Sequence, residues 1–287
     1  MNYSSNTQGN TFNQFLTNKY VSSTQEFFQS NSLIAKVAFL LLILFVFIIL
    51  LRIGITLLGY LLGPIGTPKL IDGMVDAKQL IVIQQDPSLK DSITIARSSN
   101  ANEGIEFTWS VWIFISDLQY NQGKFRNVFY KGNYNIGSDG LNFPNNAPGL
   151  YIAPNTNELI LLMNTFNTIN EDVSIPDIPV NKWVNVIIRC EGTIVDVFIN
   201  GTISRSLQLT GIPKQNYGDV YVAANGGFNG YISNLWYYNY ALGTAAIQNI
   251  ANRGPNLTMS DGPVDDKDSN YLSLRWFFYG DNDAYNP

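Results

Sequence analysis

Residues 37–51 read VAFLLLILFVFIILL, without one polar side chain, between Lys36 and Arg52. The apolar character resumes after Arg52 as Ile53-Gly54-Ile55-Thr56-Leu57-Leu58-Gly59-Tyr60-Leu61-Leu62. A helix that crosses about 30 Å of hydrocarbon needs about 20 such residues. The run therefore predicts one transmembrane helix within 33–62, ended by Gly63-Pro64, with Val37, Phe39, Leu44, Phe47 and Leu51 in the span. Lys36 and Arg52 are the interface residues, long enough to snorkel toward water. A helix packed at the surface of a soluble core would carry a polar face, and this run has none. A cleaved signal peptide would have a short basic start and a small-residue cleavage site; here about thirty neutral, polar residues come first. The basic residues, Lys19 and Lys36 before the run and Arg52, Lys69 and Lys78 after it, are too evenly divided to set an orientation.

The rest of the 287 residues is sparsely charged, at 14% against about 25% for an average soluble chain. Aromatic residues make up 13%, a profile suited to strands and turns. The net charge is −5 and no cluster of Lys and Arg exists, so nucleic acid is not an expected partner. The chain lacks histidine, and with it the usual general base and the commonest metal ligand. Cys190 is the only cysteine, set in Val186-Ile187-Ile188-Arg189-Cys190. That setting reads as a small buried hydrophobe.

Five regions follow from the pattern. Residues 1–32 are a polar tail rich in Asn, Ser, Thr and Gln, with Phe12, Phe15, Tyr20, Phe27 and Phe28 spaced along it. The helix occupies 33–62, and 63–78, with Gly63-Pro64, Gly66 and Pro68, reads as a linker. A strand-rich domain covers 79–255, and 256–287 form an extension packing on or near it. Strand signals fall at 80–83, 107–115, 150–152, 159–163, 183–190, 193–199, 202–209, 221–223 and 231–238. Glu191-Gly192 and Asn200-Gly201 mark hairpin turns. One soluble helix is expected at 244–252, before Gly254-Pro255. The fold class is all-β: a two-sheet antiparallel sandwich of jelly-roll type behind one N-terminal transmembrane helix. Trp109, Val111, Val186, Ile188, Val197 and Ile232 fall on the core-facing alternation.

Three stretches resemble the concanavalin A-like lectin/glucanase superfamily and, within it, the laminin G-like group. They are Phe107-Thr108-Trp109-Ser110-Val111-Trp112-Ile113, the hairpin from Trp183-Val184-Asn185-Val186 through Val197-Phe198-Ile199-Asn200-Gly201, and Phe228-Asn229-Gly230-Tyr231-Ile232-Ser233-Asn234-Leu235 through Tyr238-Asn239-Tyr240-Ala241-Leu242. The resemblance implies the concanavalin A-like jelly roll but not one function, because the fold hosts lectins, glycosidases, receptor modules and structural parts.

Glycan-cleaving members of that superfamily carry E-x-D-x-x-E on one strand, and this chain has no such triplet. Glu106, Glu158 and Glu191 stand alone in sequence, and neighbours Glu171 and Asp172 would point to opposite faces of a strand. The chain is accordingly read as non-enzymatic. Calcium is the candidate cation, with Asp117, Asp139, Asp172 and Asp177 in expected loops; without a ligand spacing, no cofactor is assigned. Tyr237, Tyr238, Tyr240 and Asn229 are the candidate sugar contacts. Asn200-Gly201-Thr202 and Asn256-Leu257-Thr258 match the glycosylation sequon. Membrane-anchored, Asn- and Tyr-rich chains of this build resemble minor capsid and virion membrane proteins of large DNA viruses. That resemblance implies a structural tether whose partners are the bilayer and capsid proteins, placed in an internal membrane beneath the shell. A membrane-displayed, glycan-binding lectin is the alternative.

Overall fold

The computed structural model describes residues 32–62, 66–89, 92–101, 104–260 and 262–263. The polar tail up to residue 31 and the extension beyond 263 lie outside them. The chain divides into two compact units at Leu62/Gly63.

The first unit contains α1, Leu33–Leu62, one helix of 30 residues, about 45 Å long at 1.5 Å per residue. Ser32 starts it: its hydroxyl accepts the Ala35 N–H (3.1 Å) and its carbonyl the Lys36 N–H (3.2 Å). The Thr56 hydroxyl donates back to the Arg52 carbonyl (2.9 Å), so this polar group is satisfied within the helix. Val37, Phe39, Leu44, Phe47 and Leu51 are each 48–59% exposed. The helix is thus apolar on every side and has no stripe that a core could cover. Leu33–Gly59 is long and apolar enough to cross a membrane. Lys36 and Arg52, both exposed, stand sixteen residues apart, about 24 Å along the axis.

The second unit is a sandwich of two antiparallel sheets. Its strands are β1 (Lys69–Asp76), β2 (Ile81–Ile83), β3 (Ser99–Ala101), β4 (Gly104–Ile115), β5 (Arg126–Gly132), β6 (Gly149–Ile152), β7 (Leu159–Met163), β8 (Glu171–Ile175), β9 (Trp183–Glu191), β10 (Ile194–Ile199), β11 (Thr202–Gln208), β12 (Asp219–Val222) and β13 (Gly230–Tyr238). One sheet runs β1-β13-β4-β9-β10-β11, with β3 added on β4; the other runs β2-β12-β5-β6-β7-β8. The order interleaves early and late strands, so the sheets close only when both chain ends are in place. The helix α2 (Thr244–Arg253) follows β13.

Two assignments change. Residues 69–76, placed in the linker, form β1, which pairs with β13 from Lys69↔Trp236 to Asp76↔Tyr231. The Gly- and Pro-rich run before them masked a strand whose Leu70, Ile71 and Val75 enter the core. Strands β5 and β8 carry Arg126, Lys131, Glu171 and Asp172, and those charges hid their alternation.

Hairpin geometry accounts for the turns. Asn200 and Gly201 both have positive φ (50° and 81°), the two-residue arrangement that matches strand twist. Gly230, at φ 155°, is required sterically: a Cβ there would lie 1.8 Å from the Phe114 carbonyl. The main core between the sheets holds Trp109, Val111, Val186, Ile188, Val197 and Ile232. Outside the β4–β9 sheet, α2 seals a smaller cluster of Ile187, Phe198, Leu242 and Ile247. The segment after α2 continues over the same face: Asn256 bonds the Ser233 hydroxyl (3.1 Å), and residues 258–260 pair with Met74. This covering explains why β4 is buried on both faces.

Candidate functional site

The candidate sugar contacts do not assemble. Alternation along β13 turns Tyr237 inward, 3% exposed against Trp109 (ring centroids 5.0 Å), and Tyr238 outward. Tyr240, 41% exposed, meets Tyr238 edge-on at 6.1 Å. Trp236, which the sequence reading passed over, stacks on Tyr238 (6.0 Å, 10°) and receives Lys69 over its ring (5.2 Å). The surface aromatic group is therefore Trp236, Tyr238 and Tyr240. Trp236 and Tyr238, two residues apart, share one face by alternation, after a register shift between Ser233 and Trp236 where Asn234 has φ 51°.

Asn229 precedes the other end of β13. Its amide donates to Asp117, whose other oxygen accepts the N–H groups of Gln119 (2.9 Å) and Tyr120 (3.1 Å). The Asn229 hydrogen bond holds the Asp117 carboxyl below its usual range. Arg126, 1% exposed, reaches the carbonyls of Leu118 (2.9 Å) and Ala153. Desolvation lowers its pKa. These residues organise loops. Of the other calcium candidates, Asp139 accepts the Leu141 N–H (3.1 Å), Asp177 lies in an exposed loop, and Asp172 lies in β8 opposite Leu162, not in a loop. Among the described residues, no three His, Cys, Asp or Glu side chains form a group with metal-ligand spacing.

Strand pairing brings two carboxylates together that the sequence kept apart: Glu106 on β4 lies opposite Glu191 on β9. Direct opposition of like charges is unfavourable, and the pair sits where the sheet ends. Glu171 and Asp172 do point apart, with Glu171 buried and Asp172 exposed. Cys190 is fully buried. Burial first, and then the carboxylates of Asp196, Glu106 and Glu191, push its thiol up to about 12, so it is inert as a nucleophile. Both sequon asparagines are engaged: Asn200 accepts the Asn185 N–H (2.9 Å), and Asn256 donates to Asp72 (3.0 Å).

Two adjoining loops, 164–170 and 209–218, carry three strongly exposed apolar side chains; Leu257 and Met259, after α2, are about as exposed as the least of them. Phe166 is 71% exposed, Tyr217 72% and Ile212 59%. Glu171 locks the loops together, accepting from the hydroxyls of Thr165 and Thr210 (2.6 Å each) and from the Thr210 N–H (2.8 Å). Desolvation raises its pKa, but the three hydrogen bonds outweigh it and the net shift is downward. Phe166 N–H donates to the Ile212 carbonyl (3.1 Å), and Lys214 lies over the Phe166 ring (5.5 Å). An apolar tip held by a satisfied polar base is a contact surface of the kind that partners cover.

Residues 87–248, more than half of the chain, match the family model described as concanavalin A-like lectin/glucanases superfamily, in its laminin G form. No match is found among curated proteins. Solved structures with a similar fold include the binding domain of botulinum neurotoxin serotype G, at 13% identity and a TM-score of 0.40, over 51% of this chain and 36% of that one. Another is the binding domain of botulinum neurotoxin DC in complex with rat synaptotagmin II, at 18% identity and a TM-score of 0.39, over 52% and 35%. The chain thus spans little more than a third of these relatives, and the likeness concerns fold alone. From the family match, and from two antiparallel sheets with the Asn200-Gly201 hairpin and Gly230 in their structural places, this chain belongs to the concanavalin A-like lectin/glucanases superfamily.

Proposed function

We propose that the protein is a single-pass membrane tether. In this reading α1 lies in a bilayer, and the laminin G-like sandwich works without catalysis as a binding domain for another protein. The observation that carries it is the pairing, in one chain, of a helix apolar on every side with a binding-type fold whose loops 164–170 and 209–218 present Phe166, Ile212 and Tyr217 to solvent. Such apolar tips favour a protein surface over a dissolved sugar. In a virion, the partner would be a capsid protein above an internal membrane. The reading requires no cofactor.

Cross-linking mass spectrometry on the native membrane or particle tests it. Cross-links from Lys214 to one abundant protein of another kind are expected. Cross-links confined to this chain would refute the tether. A second reading, a membrane-displayed lectin, is favoured by the Trp236, Tyr238 and Tyr240 group, because the exposed Tyr240 ring beside two half-buried stacked rings offers an aromatic surface to the apolar face of a sugar. Glycan binding that is lost in Tyr240→Ala, with no protein cross-link, would put the lectin first.

A further inference from the structure

At the end of the sandwich where β13 finishes and β4 begins, a cavity of about 20 Å³ opens between the sheets. That is room for one group the size of a water or a small polar head. Trp109 and Tyr237 form an aromatic wall, and Lys131, Lys214, Gln215 and Asn216 supply polar groups. Among the described residues, no Asp or Glu lines it.

Nearly every uncommitted polar group there is a donor. The Lys131 side chain is 5% exposed, and its ammonium makes one hydrogen bond, to the Gly218 carbonyl (2.6 Å). Two of its three N–H bonds therefore have no acceptor among the described residues, and no carboxylate pairs with it there. The amide oxygens of the other two residues are already used: Gln215 accepts the Ser98 hydroxyl (2.6 Å), and Asn216 accepts the Gly218 N–H (2.7 Å). Their NH2 groups make no hydrogen bond among the described residues. The Lys214 ammonium lies over the Phe166 ring and makes no hydrogen bond among the described residues. A buried ammonium without a counter-ion is costly; burial pushes Lys131 down to about 8, with Asp219 opposing from a distance. At neutral pH it still holds its proton.

We propose that this cavity binds a carboxylate. Its oxygens accept from Lys131, Lys214 and the amide NH2 groups of Gln215 and Asn216, and the rest of the ligand lies outside against the loops. The four donors match the acceptor-only chemistry of an ionised carboxyl group. A neutral sugar or an amide brings donors of its own and no negative charge to offset the buried ammonium. The inference does not rest on the tether reading.

Saturation-transfer NMR on the full chain in lipid nanodiscs tests it, with acetate, glucuronate, acetamide and glucose as probes. Transfer to acetate is expected, with none to acetamide or glucose. Transfer to glucuronate as well assigns the site to acidic sugars; its absence assigns it to slender carboxylates. Lys131→Met should weaken acetate binding at least tenfold while leaving the melting temperature unchanged or higher. Lys214→Gln, at a half-exposed position, should weaken it several-fold without touching the fold. The proposal is overturned if acetamide binds as well as acetate, if both variants bind like wild type, or if wild type binds none of the probes, with Lys131→Met then expected to melt lower. The last outcome would make Lys131 a prop for the Gly218 carbonyl.

Discussion

Trp109 joins the two sheets: it stacks on Phe129 of the opposite sheet (5.1 Å) and leans on Tyr237 of its own (5.0 Å). Truncation to Ala should cost about 3–5 kcal/mol, because the cavity left behind adds to the lost transfer energy. Chemical denaturation reads this directly, and a variant unfolding at the wild-type midpoint would contradict the packing. Gly230 is as tightly held by its backbone. With φ 155° and the Phe114 carbonyl where a Cβ would go, Gly230→Ala should cost about 2–4 kcal/mol in strain and displaced pairing. Differential scanning calorimetry of the two proteins decides it; equal melting temperatures would mean that the β13–β4 register accommodates a methyl group.

At the scale of elements, the loops 164–170 and 209–218 depend on Glu171 more than on their own sequence. Its folded pKa lies below the ordinary carboxylate value because three donors together outweigh desolvation. A lowered folded pKa contributes stability that is fully present above the unfolded value. That stability is lost as pH falls through the folded one. The loops should therefore hold at neutral pH and loosen as pH falls below the ordinary glutamate value toward the lowered folded one. Glu171→Gln should cost about 1–3 kcal/mol at pH 7. Amide exchange in 165–170 and 209–213 should speed up selectively; uniform exchange across the sandwich would show that the carboxylate is not the lock. The outer covering by α2 behaves differently. It rests on Ile247 and Leu242 against Ile187 and Phe198, and on the ion pair between Arg189 and Asp196 (2.6 Å), with Arg189 also donating to the Leu242 carbonyl (3.2 Å). It covers the part of that sheet's outer face that β9 and β10 present.

At the scale of the molecule, the helix and the sandwich make separate predictions. Alkaline carbonate should leave the full chain in the membrane pellet, since α1 offers an apolar surface on all sides; recovery in the soluble fraction would remove the membrane from the proposed function. The sandwich should turn over no β-glucan. Glu106 and Glu191, which strand pairing brings face to face, do not line the cavity of the sandwich, where a substrate would have to lie between an acid and a nucleophile. Reducing-sugar release that disappears in Glu106→Gln would overturn this.

The helix, the sandwich class, the hairpin at Asn200-Gly201 and the inward residues of β4, β9 and β13 were legible in the sequence. Each is a local signal: a solid apolar run, a period of two, or a turn residue chosen for positive φ. Strands β1, β3, β5 and β8 were not legible, because linker-like residues precede the first, β3 has only three residues, and charges interrupt the other two. Tertiary structure alone decided which faces are free. Whether Tyr237 and Tyr238 share a surface depends on the pleat. Whether Glu106 meets Glu191 depends on the β4–β9 register. Whether Lys131, Lys214, Gln215 and Asn216 surround one cavity depends on β5 and the loop after β11 arriving at the same end of the sandwich. Such contacts join residues distant in sequence, and no pattern within either segment encodes them. Local periodicity specifies elements; long-range pairing specifies sites.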